Sequence, residues 1–265
     1  MTQTTLSNIT WITGGSSGIG KSLALKLAAK GEKVAVTARS KDKLADLESQ
    51  AESLSGSIHA YPGDVTDADK MQEMVKEIEQ TIGPIGKAIL NAGTYVPDTI
   101  DDFTPDNFEH HCRINLIGTA NAFAPLIPKM RQRQAGHIAF VASVAGYRGL
   151  PRSLSYGPTK AALINMAEAL AIETLDEGIK VQVINPGFVE TPLTEQNDFD
   201  MPFLITSEQA ADYILKGLET ARFEIGFPWQ MVTLLKTIGK LPARWYFRVV
   251  KKTTSSQMNK GSKED

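Results

Sequence analysis

Short runs of consecutive apolar residues alternate along the chain with longer stretches in which apolar positions recur every three or four residues. The short runs predict strands at 8–13, 33–38, 57–61, 88–91, 136–142, 180–185 and 224–227, and the periodic stretches predict helices near 18–30, 42–54, 67–81, 105–131, 155–177 and 207–222. In the first helix Leu23, Leu27 and Lys30 share a helical spacing, and Gly31 closes it. Asp67 and Ser207 stand where N-caps belong. Regular strand–helix alternation implies an α/β chain with a parallel sheet covered by helices on both faces. No internal repeat and no Gly/Ser-rich linker interrupts the pattern, so one domain is expected over 1–227, followed by an extension at 228–252. The polar tail 253–265 has little to bury and is expected to be disordered.

Composition narrows the classes. A chain of 265 residues is long enough for one large α/β core. Its net charge of −2 provides no global field to attract nucleic acid. Cys112 is the only cysteine, which excludes an internal disulfide and a multi-cysteine metal site and fits a reducing compartment. The N-terminus enters a strand without an apolar leader, so a cytoplasmic location is expected.

Candidate chemistry begins where the first strand meets the first helix, at Thr13-Gly14-Gly15-Ser16-Ser17-Gly18-Ile19-Gly20. Glycines there clear Cβ atoms from a helix start, whose free N–H groups and dipole can hold a phosphate. Gly14, Ser16, Ser17, Gly18, Ile19 and Gly20 are therefore candidate dinucleotide contacts. The second strand ends at Ala38-Arg39. An acid at this point would select NAD through the ribose 2′-hydroxyl, whereas a guanidinium pairs with a 2′-phosphate. Arg39 thus points to NADP, unless it is an ordinary solvated arginine. Asp64-Val65 and Asn91-Ala92-Gly93 follow the third and fourth strands, on the strand edge where open α/β sheets bind ligands. Asp64 is a candidate acceptor for the adenine amino group, and Asn91 and Gly93 shape the backbone near the adenine ribose.

Tyr156 and Lys160 lie one helical turn apart, with Ser143 ending the strand before them. Phenols are poor acids near neutrality, and an ammonium on the same helix face lowers their pKa. Ser143 can bind a reacting oxygen. Asn115, a polar residue inside the 105–131 helix, can hold a water that links Lys160 to solvent.

The conjunction resembles the short-chain dehydrogenase/reductase family over about residues 8–227. The resemblance rests on Thr13-Gly14-x-x-x-Gly18-Ile19-Gly20, Asp64, Asn91-Ala92-Gly93, Asn115, Ser143, Tyr156-x-x-x-Lys160 and Pro186-Gly187-x-x-x-Thr191. It implies one doubly wound Rossmann domain with a seven-stranded parallel sheet. It also implies Tyr156 as acid/base, Ser143 on the substrate oxygen, Lys160 on the nicotinamide ribose and Asn115 in a proton relay. Pro186, Gly187, Val189 and Thr191 are placed near the nicotinamide. A homodimer or homotetramer built on the 105–131 and 155–177 helices is implied as well. Two departures stand out. Leu90 replaces a second asparagine, and Ser17 takes the place of a basic residue found in some NADP-using members, which leaves Arg39 alone to choose the cofactor.

The expected activity is NADP(H)-dependent interconversion of a carbonyl and an alcohol. Reduction of a 3-oxoacyl thioester is a narrower alternative, and a non-catalytic NADP-binding regulator is one of another class. Phe188, Leu193, Phe199, Met201, Phe203 and Leu204 follow Pro186-Gly187, and Tyr147, Leu150 and Leu154 follow Ser143; they suggest a small apolar substrate. From Ile225 to Lys252 there are six basic residues and no acidic one. This aromatic-rich stretch, broken into two helices by Gly239 and Pro242, suits an anionic membrane surface, a subunit contact or packing over the cleft.

Overall fold

The computed structural model of the chain describes residues 9–197 and 199–261. Seven strands form one parallel sheet: β1 (Ile9–Thr13), β2 (Lys33–Ala38), β3 (Ser57–Pro62), β4 (Lys87–Leu90), β5 (Gly136–Val141), β6 (Ile179–Pro186) and β7 (Glu224–Phe227). Their order is β3-β2-β1-β4-β5-β6-β7. The chain winds outward from β1 in one direction and from β4 in the other, so direction reverses between these two neighbours. Helices cannot cover the ends of both β1 and β4 at such a switch point, and a crevice opens there.

The helices are α1 (Gly18–Ala29), α2 (Lys41–Ala51), α3 (Ala68–Thr81), α4 (Pro105–His111), α5 (Gly118–Phe123), α6 (Leu126–Arg133), α7 (Tyr156–Glu173), α8 (Ser207–Leu218), α9 (Trp229–Gly239) and α10 (Ala243–Gly261). One core layer joins β-sheet residues such as Ile12, Val36 and Ile184 to α1, α2 and α8. The other joins Trp11, Leu90 and Phe140 to α3, α5, α6 and α7. Alternate strand residues feed opposite layers, which is why the strands read as continuous apolar runs. Each fully buried Leu, Ile or Phe contributes roughly 1.5–3 kcal/mol.

Three details differ from the pattern. The 105–131 helix is not continuous. A wide π-helical segment, Cys112–Ile117, separates α4 from α5, and Pro125 precedes α6. Thr206, rather than Ser207, caps α8, in a reciprocal capping box with Gln209. The backbone from Thr253 to Gly261 is helical, as the end of α10, where the polar composition suggested disorder. Asn8, Asp198 and residues 262–265 lie outside the described residues.

The extension forms two helices, as expected, and one side of them is packed. Met231, Tyr246 and Val250 are buried. Arg148 donates to the carbonyls of Gly239 (2.6 Å) and Leu241 (2.9 Å), satisfying acceptors left open at the end of α9. Among the described residues no helix is long and apolar enough to cross a membrane.

Candidate active site

A cleft of about 490 Å³ opens along the strand ends at the switch point. It is lined by Gly14, Ser16, Ser17, Gly18, Ile19, Arg39, Asp64, Val65, Asn91, Ala92, Gly93, Ser143, Tyr156, Lys160, Pro186, Gly187, Val189 and Thr191. Of the residues singled out in the sequence, Gly20 and Asn115 stand behind the wall rather than in it.

The glycine turn is fixed by its neighbours. Gly14 has φ of +67°, and a Cβ there would stand 2.7 Å from Ala92 Cα. Gly18 has φ of +50°, and a Cβ would meet Thr191 at 2.8 Å. Both positions therefore require glycine for conformation and for space. Asn91 Nδ2 donates to Gly14 O (2.9 Å) and Thr13 O (3.2 Å), while Thr13 Oγ1 accepts from the N–H groups of Asn91 and Ala92. The Asn91 side chain thus clamps the turn to the end of β4. That is a firmer structural role than shaping a ribose site.

At one end of the cleft Ala38, Arg39, Ser40 and Lys43 come together. Ser40 caps α2 by accepting from Lys43 N–H. This places a second cation, on the first turn of α2, beside Arg39. Lys43 was not singled out in the sequence, although its spacing of four from Arg39 around a helix start was the available signal. Asp64 Oδ1 accepts from Thr66 N and Oγ1, both at 2.9 Å, which orients the carboxylate at the cleft wall.

The candidate proton-transfer group lies at the other end. Ser143 follows β5 in extended conformation; its Oγ accepts from Ala145 N–H (3.1 Å) and donates to Pro186 O (3.4 Å), and it lines the cleft beside Tyr156. Tyr156 opens α7, with its ring edge-on to Tyr95 at 4.9 Å between centroids. Lys160 is buried, donates to Val141 O at 2.9 Å, and sits 5.4 Å from the Tyr156 ring centroid. Burial pulls Lys160 down to about 8. It also pushes Tyr156 up to about 12, against the downward pull of the neighbouring Ser143 hydroxyl and with Tyr95 adding to the rise. The sequence suggested a phenol lowered by Lys160. Here desolvation of the phenolate wins, because the ammonium is itself weakened by burial and turned toward a carbonyl.

Asn115 is fully buried in the π-helical segment. Its Oδ1 accepts from Thr94 N–H (2.8 Å), and its Nδ2 donates to Thr94 O (3.1 Å) and Thr159 Oγ1 (3.0 Å). The side chain therefore ties the segment after Gly93 to α7. Two further groups were missed that also hold this segment, His111 to α4 and Asp98 to the start of α7. His111 Nε2 accepts from Val96 N–H (3.0 Å). Buried Asp98 accepts from Ser155 N–H (3.1 Å) and from the Ser155 hydroxyl, one residue before Tyr156. The only sequence signal for these was polar residues flanking motif positions, too weak to single them out. Tyr147, expected in a substrate wall, instead donates its hydroxyl to Glu224, which also pairs with Lys236.

Comparison with known proteins bears on this arrangement. A family model described as short chain dehydrogenase matches residues 8–201. An uncharacterized oxidoreductase of Myxococcus xanthus is 32% identical over 231 residues, covering 87% of this chain and 91% of the relative. An uncharacterized oxidoreductase of Staphylococcus aureus is 33% identical over 183 residues, covering 69% of this chain and 78% of its own. The solved structure of ElxO with NADP bound superposes with a TM-score of 0.74 at 26% identity, covering 82% of this chain and 96% of that one. A short-chain dehydrogenase from Sphingobium yanoikuyae in complex with NADPH shares the fold, with a TM-score of 0.78 at 24% identity over 87% of this chain and 91% of its own.

Proposed function

The chain belongs to the short-chain dehydrogenase/reductase family, an oxidoreductase acting on CH–OH groups, and from that premise we propose that it reduces a carbonyl on an apolar substrate with NADPH, Tyr156 giving the proton. The observation that carries this reading is the convergence of Ser143, Tyr156 and Lys160 at one end of a cleft whose other end presents Arg39 and Lys43.

The residues fit a dinucleotide. The glycine turn leaves no room for side chains where a pyrophosphate would lie against the start of α1. Arg39 and Lys43 supply cations for a 2′-phosphate, and no carboxylate ends β2. When bound, NADPH supplies the hydride. Ser143 offers a hydroxyl to the substrate oxygen. Tyr156, held up at about 12, keeps its proton at neutral pH and stands ready as the donor. Lys160, the nearest ammonium, holds the nicotinamide ribose and restrains the phenolate formed after transfer. Asn115 keeps α7 and the segment after Gly93 in register.

Leu193 lines the cleft and Phe188 packs against Phe199, which supports an apolar substrate. Exposed Ile117, Ile172 and Leu175, in the 105–131 and 155–177 stretches, support a homodimer or homotetramer built on them. The test is NADPH absorbance across ketones, sterols, fatty aldehydes and 3-oxoacyl thioesters. Consumption with an apolar carbonyl and a clear preference over NADH is expected. Tight NADPH binding with no consumption across the panel would overturn the reading in favour of a binding protein.

A further inference from the structure

Helices α9 and α10 present a surface that the cleft does not use. Their inner side is anchored: Tyr246 donates to Gly149 O at 2.8 Å, and the Arg148 guanidinium lies 4.0 Å from the centre of the Tyr246 ring. The opposite side is therefore held out rigidly. Away from these anchors, Trp229 is 67% exposed, Phe247 64%, Trp245 57% and Leu234 50%. Two of the chain's three tryptophans stand here, while Trp11 is fully buried. Exposed Arg244 and Arg248 lie among these rings, Arg248 at 5.8 Å from the Trp245 ring centre. Lys240 and Lys252 extend the same sign, with no carboxylate from Ile225 to Lys252 in a chain of net charge −2.

We propose that this face docks on an anionic lipid surface. Indole and phenyl rings settle at headgroup depth, where their apolar bodies leave water, and the guanidinium and ammonium groups meet the lipid phosphates. A symmetric contact with a second copy fits poorly, because two-fold symmetry sets the basic face against its own image. The position also suits the site. α9 starts directly after β7 at the strand edge where the cleft opens, and a Cβ at Gly187 would stand 2.8 Å from Met231 Sδ. Delivery of an apolar substrate from the bilayer rests on the function proposed above; docking itself does not.

Flotation of the full chain with phosphatidylcholine vesicles, with and without phosphatidylglycerol, tests the proposal and needs no turnover. Binding only to the phosphatidylglycerol vesicles, weakened by salt, is expected. Because Trp11 is buried, a blue shift of tryptophan emission on adding these vesicles reports Trp229 and Trp245. Arg244→Gln with Arg248→Gln should weaken vesicle affinity roughly thirty-fold, and Trp245→Ser with Phe247→Ser should weaken flotation and leave only the smaller shift from Trp229, while NADPH affinity, which reports that the variants are folded, stays unchanged. Equal binding to both vesicle types, no binding to either, or variants that lower the oligomeric mass without changing flotation would overturn the proposal, the last in favour of a second copy.

Discussion

Replacing Lys160 with methionine is expected to stabilise the folded chain while removing its activity. Lys160 is buried, and burial pulls its ammonium from 10.5 to about 8. The unfolded chain holds this proton more tightly than the folded one. The penalty is therefore complete below the folded value, near pH 8, and lifts as pH rises toward 10.5. At ~1.4 kcal/mol per pH unit, the full penalty is about 3 kcal/mol. Methionine has a similar stem and no charge but loses the bond from Nζ to Val141 O, a loss of about 1 kcal/mol. The variant should gain about 2 kcal/mol near neutral pH. Urea unfolding followed by circular dichroism over a pH series measures this directly. The wild-type curve should rise through the window between the two pKa values and cross that of Lys160→Met, which lacks the rise. A variant less stable than wild type at neutral pH, or a constant gap through the window, refutes the reasoning. Loss of NADPH affinity in the same variant separates ribose binding from an effect on rate alone.

Arg39→Ser should weaken NADPH binding roughly ten- to hundred-fold, the range for a hydrogen bond to a charged group, and leave NADH affinity nearly unchanged; equal losses for both, measured by fluorescence titration, would remove the phosphate contact. His137, buried and bonded to Gln182 (2.8 Å), is pulled down from 6.5 to about 3, so its contribution to stability is present above 6.5 and is lost as pH falls toward 3. His137→Gln should flatten that acid limb by ~1.4 kcal/mol per pH unit in urea unfolding. An unchanged slope would contradict the shift. Asp98→Ala removes the acceptor for Ser155 beside Tyr156 and should lower kcat roughly ten-fold or more with KM for NADPH little changed. A variant that alters only the cofactor KM would deny Asp98 a positioning role.

The sheet was legible because its strands are buried on both faces and read as unbroken apolar runs, and the glycine turn because Gly14 and Gly18 need positive φ. Tyr156, Lys160 and Ser143 were legible through spacing around one strand and one helix. The π-helical segment was not, since Cys112–Ile117 carries no proline or glycine that would mark a change of winding. Asp98 and His111 were missed because their meaning lies in contacts with Ser155 and Val96, far away in sequence for Asp98 and within a loop for His111. The direction of the Tyr156 shift was misread for the same reason. Spacing put the ammonium on the right face, but only coordinates reveal how deeply Lys160 is buried and where its ammonium turns.

The central claim is that the Tyr156 hydroxyl delivers the proton to the reacting oxygen. Single-turnover oxidation of bound NADPH by an accepted carbonyl, in wild type beside Tyr156→Phe, tests it most directly. The variant should bind NADPH as tightly as wild type and oxidise it at roughly a hundredth of the rate or less. Wild-type-like oxidation by the phenylalanine variant would contradict the account.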